Sequence, residues 1–177
     1  MYHNRKSPRL KGFEYSRVNA YLVRPVIHGR NQYFGEIIHG VMVLNEFGTI
    51  AQNQMMWLQD QYCYTKIPIW AIMPNHVHAI IEIVGDDYFG GSDSGCCRGR
   101  SRPAPAASGM IIKSLSSLMG AYKTTSSKLI HLAGLTEFAW QRSFHDHIIR
   151  NSYEYRNIYN YIVNNPINWD DDDFHSW

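Results

Sequence analysis

Two kinds of side chain in this sequence could act together on a charged, unreactive bond: imidazoles that hold a metal ion and a phenol that attacks. The imidazoles occur in Met73-Pro74-Asn75-His76-Val77-His78-Ala79-Ile80-Ile81. If this run is a strand, alternate side chains share a face, so His76 and His78 point one way while Val77, Ala79 and Ile81 enter a packed layer. Two imidazoles so placed can share one metal, and the apolar run would hold both rings on a rigid element. Two surface histidines with ordinary partners would leave the same triplet. A second triplet, His145-Asp146-His147, has a polar middle residue. It reads as surface histidines or, in WQRSFHDHIIR, as substrate contacts alongside Arg142 and Arg150.

The phenols lie in Tyr155-Arg156-Asn157-Ile158-Tyr159-Asn160-Tyr161-Ile162-Val163-Asn164-Asn165-Pro166. On a helix Tyr161 and Asn165 are neighbours one turn apart. Asn165 can offer an amide oxygen to a hard divalent metal, and Tyr161 a phenol that becomes a nucleophile where metal and phosphate meet it. Tyr159 projects to another side. A tyrosine-rich helix can equally serve packing or an interface.

These residues need elements to position them. Val18 to Ile27 is rich in β-formers, and GVMVLN from Gly40 is a second such run, which predicts two or three strands. From Asn45 to Tyr62, Phe47, Ile50, Met55, Leu58 and Tyr62 recur at helical spacing. IWAIM and HVHAIIEIV, separated by Pro74 and Asn75, read as consecutive strands. Residues 85–109 are saturated with Gly, Ser, Pro and Ala and read as a flexible loop. From Met110 to Leu132 the pattern is helical again, with Ile112, Leu115, Leu118, Met119, Tyr122, Leu129 and Ile130 on a broad face. HDHIIR is a further strand, and a last helix runs from about Ser152 to Asn164, stopped by Pro166. This order predicts an α+β sandwich, an antiparallel sheet with helices packed on it.

MPNHVHAIIEI followed by WQRSFHDHIIRNSYEYRNIYNYIVNNP resembles the single-tyrosine HuH transposases, the group of the smallest insertion-sequence transposases and the REP-associated tyrosine transposases. RLKGFEYSRVNAYLV, FGEI and GVMVLNEFG resemble the N-terminal part of that family, so the likeness spans most of the chain except the loop. The resemblance implies a ferredoxin-like antiparallel sheet whose central strand carries His76 and His78, with the catalytic helix alongside. It implies that Tyr161 is the nucleophile and that Asn165 takes the third metal-ligand position. It also implies single-stranded or hairpin DNA as substrate, and cleavage that leaves a phosphotyrosine and a free 3′-hydroxyl. LVRPVIHGRN departs from the smoother β-forming run usual in relatives, and Pro25 there predicts an edge or bulged strand.

On this reading His76, His78 and Asn165 hold Mg²⁺ or Mn²⁺, and the cut is rejoined without a nucleotide cofactor. Two rivals share the motifs: a catalytically idle protein that binds DNA or RNA hairpins, and a metal-dependent phosphodiesterase that uses water. Composition sets the frame. The 177 residues, 45% apolar and 18% charged, suit one domain with a basic arm over residues 1–16, the loop and an acidic tail over residues 167–177. The net charge of +2 conceals an uneven distribution. Asp170 to Asp173 cluster at the end, while Arg5, Lys6, Arg9 and Lys11 begin a basic stretch suited to a phosphate backbone. No stretch is apolar enough for a membrane span, and the basic N-terminus lacks the apolar core of a secretory signal, which predicts a cytoplasmic protein with no membrane partner. Three cysteines, Cys63, Cys96 and Cys97, form neither a disulfide framework nor a zinc spacing. Monomer and homodimer remain open.

Overall fold

The computed structural model describes residues 19–84 and 112–171. The basic arm, the loop over residues 85–109 and residues 172–177 of the acidic tail lie outside them. The elements run β1 Asn19–Arg24, β2 Gly35–Ile38, β3 Val41–Leu44, α1 Glu46–Gln61, β4 Thr65–Ile72, β5 Val77–Ile83, α2 Leu115–Leu132, β6 His145–Ile149 and α3 Ser152–Asn164. Four strands form one antiparallel sheet in the order β4-β5-β1-β6, while β2 and β3 pair separately. With that hairpin set aside, β1-α1-β4-β5-α2-β6 is the ferredoxin-like β-α-β-β-α-β unit, and α3 is added after it.

The strand β5 is flanked on both sides, which is why its sequence is almost uninterruptedly apolar. Its two faces meet different layers. Val77, Ala79 and Ile81 join Tyr21 and Val23 in the larger core with Met55 and Leu58 of α1 and Leu115, Leu118 and Met119 of α2. Ile80 and Ile149 meet Ile162 of α3 on the other face, with Leu22, Tyr155 and Ile158 packed around them.

The helices begin where side chains can cap them. Asn45 accepts from Gly48 N–H at α1, Ser114 from Ser117 N–H at α2, and Asn151 from Glu154 N–H at α3. The cap at Ser114 starts α2 at Leu115, so Ile112 precedes the helix instead of lying on its face. Leu129 is also 38% exposed. The inward position is taken by Ser126, whose hydroxyl donates to Tyr122 C=O at 2.7 Å and accepts from the Trp140 indole at 3.0 Å. The β2–β3 turn has positive φ at both central residues, His39 at 50° and Gly40 at 75°. That is the geometry whose twist suits a two-residue hairpin.

β1 is neither the edge strand nor the bulged strand that Pro25 predicts, since its register with β5 is unbroken. It lies between β5 and β6, and Pro25 falls just past its end at Arg24. Proline has no N–H for a ladder, so pairing lapses there and resumes as an isolated bridge between Val26 and His76. The Pro25 carbonyl still accepts from Val77 N–H at 3.0 Å.

Gly48 shows how tightly α1 abuts the hairpin, since a Cβ there would sit 2.1 Å from the Phe34 carbonyl oxygen. Gly48→Ala, ordinarily a helix-favouring change, should instead destabilise the protein by about 1–3 kcal/mol, because backbone must shift to admit the methyl. Urea denaturation of the two proteins measures this, and an unchanged or raised midpoint refutes the close approach.

Candidate active site

The turn before β5 is fixed by backbone bonds from three directions. Met73 N–H donates to His76 C=O at 2.9 Å, Phe34 N–H to Pro74 C=O at 3.0 Å and Ile27 N–H to Asn75 C=O at 2.9 Å. His76, bridged to Val26, and His78, on β5, are both buried. Their rings lie 4.6 Å apart, nearly perpendicular, with the two Nε2 atoms 2.8 Å from each other.

Asn75 settles which nitrogen of His76 carries the proton. Its amide Nδ2 donates to the Arg30 carbonyl at 3.2 Å, so its Oδ1 faces His76 Nδ1 at 2.7 Å. An amide oxygen only accepts. His76 Nδ1–H therefore donates, and its Nε2 keeps a lone pair pointed at His78. Both rings are neutral, the form that ligates metals. Burial, aided by the charge of Arg24, pulls His78 down to about 3. Burial above all, then His78 and Arg24, holds His76 well below the ordinary imidazole value.

The donor set fits a divalent cation. Two nitrogens each about 2.1 Å from one ion, at a right angle, stand about 3.0 Å apart, close to the spacing here. His78 Nδ1 is a buried atom with no hydrogen-bond partner among the described residues, which is the cost of aiming the other nitrogen at its neighbour. Among the described residues no third His, Cys, Asp or Glu completes a metal-holding group. Asn165 carries an amide oxygen of the kind a hard divalent cation accepts.

α3 brings Tyr161 to the pair. Ile158 and Ile162 seat the helix on the sheet, and Tyr161, to one side of Ile158 on the helical surface, sets its ring edge-on to His78 at 5.2 Å. Its ring is 42% exposed, so a substrate can reach it. Asn165, buried at the C-terminus of α3, is one turn further on. Four residues later Trp169 lies over His76 at 5.9 Å. Asn165 is thus bracketed in the chain by two side chains that each touch a histidine of the pair.

The other sequence candidates are not gathered there. His145 and His147 are exposed on the edge strand β6, and His147 Nε2 lies 2.6 Å from Glu154 Oε1. Arg142 and Arg150 are exposed, while Arg5, Lys6, Arg9 and Lys11 lie outside the described residues. Sequence reasoning missed three neighbours of the pair: Asn75, Trp169 and Arg24. Only Asn75 left a signal, as the polar residue directly before the triplet.

Fold and site together define a class: a ferredoxin-like sheet in which β5 and the residue just before it offer a histidine pair to a tyrosine on an added helix. A protein of Haemophilus influenzae carrying only the description "Uncharacterized protein" is 30% identical over 179 residues, spanning 96% of this chain and 92% of that one, and this chain belongs to its family. The structure of a REP-associated tyrosine transposase bound to a REP hairpin superposes with a TM-score of 0.58 at 18% identity, over 91% of this chain and 74% of that one. The two proteins therefore share a fold. No protein-family model matches the chain. Among the described residues no helix is long and apolar enough to cross a membrane.

Proposed function

We propose that this protein is a metal-dependent transposase that cuts and rejoins single-stranded or hairpin DNA through a covalent bond to Tyr161. The observation that carries the reading is the contact of an accessible tyrosine with a buried histidine pair whose Nε2 atoms converge. The fold shared with a protein solved on a REP hairpin supports the substrate class.

His76, His78 and Asn165 would hold Mg²⁺ or Mn²⁺, which would supply positive charge to stabilise the charge developing at the scissile phosphate. Tyr161 Oη, losing its proton, attacks phosphorus. The P–Oη bond forms, the P–O3′ bond breaks, and the 3′ oxygen departs with a proton as a free hydroxyl. Attack of another strand's 3′-hydroxyl on the phosphotyrosine reverses these changes and releases Tyr161. The number of phosphoester bonds is conserved, so no nucleotide cofactor is needed. Burial of His76 and His78 keeps water from competing for their Nε2 atoms, while the exposure of Tyr161 lets the strand in.

The test is a denaturing gel. Protein incubated with a hairpin oligonucleotide from the repeats flanking its gene, with Mn²⁺, should give a protein–DNA adduct that survives denaturation. A water-using phosphodiesterase would cut and leave none.

Asn75 gives a further expectation. Asn75→Ala removes the acceptor of His76 Nδ1–H and frees the ring to turn, which should weaken Mn²⁺ binding about 10- to 100-fold. The orphaned buried donor should also lower stability by about 1–3 kcal/mol. Asn75→Asp restores the acceptor and should recover most of the affinity. Calorimetric titration with Mn²⁺ measures both, and unchanged affinity in Asn75→Ala would show that the amide does not orient the ring.

A further inference from the structure

The face of the sheet that holds the histidine pair continues past it across β1 to the edge strand β6. Cross-strand partners share a face, and the registers pair Val23 with Ala79, Leu22 with Ile80 and Ala20 with Glu82. On the other side of β1 they pair Arg24 with His145, Leu22 with His147 and Ala20 with Ile149. Arg24 therefore extends the row of His78, and His145 follows it on the edge strand. α3 packs most extensively on β4 and β5, and on the edge strand His145 and His147 are exposed.

At the other end of this face, an open groove of about 640 Å³ lies between Ala20 and Ile149 of the sheet, Arg150 just before α3, and Ser152 and Arg156 of α3. Both arginines are exposed. From Arg24 to Ala20 is four strand residues, about 13 Å, so cations stand at both ends of a track a few nucleotides long.

We infer that this flank of α3 carries the phosphate backbone of the substrate strand away from the histidine pair, with Arg24 and His145 at the near end and Arg150 and Arg156 at the far end. The inference rests on the DNA reading above and extends it by a route. The acids along the track are engaged by the protein itself. Tyr155 donates to Glu82 at 2.8 Å. Glu154 accepts from Arg150 N–H at 2.8 Å and faces His147 Nε2 at 2.6 Å, contacts that hold its carboxyl below the usual range. Asp146, paired with Val23, belongs to the opposite face. The field at the near end is positive: Arg24 lowers the proton affinity of His76, His78 and His145, in each case after burial, although Asp146 opposes it at His145. Leu22 and Ala20, half-buried at the margin of the α3 cluster, leave apolar edges that suit the sugar and base faces of an unpaired strand.

The test uses the full chain in EDTA, where no metal-dependent cut intervenes, with a fluorescein-labelled oligothymidylate that has no hairpin. Anisotropy gives Kd across a series of NaCl concentrations. Removing one cation that neutralises a phosphate should reduce the slope of log K against log salt by about 0.7 for a single strand. Arg150→Gln/Arg156→Gln should therefore flatten it by about 1.4, and Arg24→Gln by about 0.7. Arg150→Lys/Arg156→Lys should keep the parent slope, which separates charge from fold. Lys113→Gln/Lys128→Gln, beside and on α2 respectively, should leave it unchanged. Equal slopes in parent and Arg150→Gln/Arg156→Gln, an equal flattening in the two double glutamine variants, or no binding by the parent would each overturn the route. None of these outcomes depends on Tyr161, whose chemistry is read separately from the adduct.

Discussion

Tyr161→Phe should abolish the denaturation-resistant adduct, by about 10⁴-fold or more, since removing a covalent nucleophile leaves only the residual effects of binding. The substitution deletes one oxygen from a ring that is 42% exposed and keeps the edge-on contact with His78. α3 is seated by Ile158 and Ile162, so fold and DNA affinity should stay within error of the parent. Tyr159→Phe is the matched control. Its ring is similarly exposed, at 37%, but projects to a side of α3 away from Tyr161. Tyr155→Phe is a poorer control, because Tyr155 donates to Glu82 and supports α3 on the sheet. An adduct that persists in Tyr161→Phe and vanishes in Tyr159→Phe would move the nucleophile and break the register between tyrosine and Asn165.

The second large effect is expected at the histidine pair. His76→Ala or His78→Ala should remove Mn²⁺ binding and lower cleavage by about 10³-fold or more, the scale of several kcal/mol of charge stabilisation at the phosphate. Both rings are buried, so each alanine also leaves a cavity. Circular dichroism and DNA binding, read beside cleavage, separate loss of the site from loss of the fold. His145→Ala and His147→Ala are the contrast, since those rings are exposed on the edge strand and should leave Mn²⁺ binding intact. If metal binding were lost in His145→Ala or His147→Ala and retained in His76→Ala, the metal would belong to the second triplet.

What the sequence determined by itself is what local periodicity controls. The period of two in HVHAIIEI put His76 and His78 on one face. The helical period of SYEYRNIYNYIVN put Tyr161 one turn from Asn165, and Pro166 marked where that helix stops. The apolar face of α1 was legible for the same reason. The tertiary structure decided everything that depends on which strands become neighbours. Pro25 reads locally as an edge signal, yet it ends an interior strand, because one missing N–H can be absorbed where pairing resumes at Val26. Arg24 stands beside His78 only through a register between residues more than fifty positions apart, and His145 joins that row only through a second register. Trp169 covers His76 from beyond the end of α3, and Asn75 orients it only because the Arg30 carbonyl takes the other end of its amide. Such long-range registers are set by burying whole faces at once, a free energy that no short window of sequence contains.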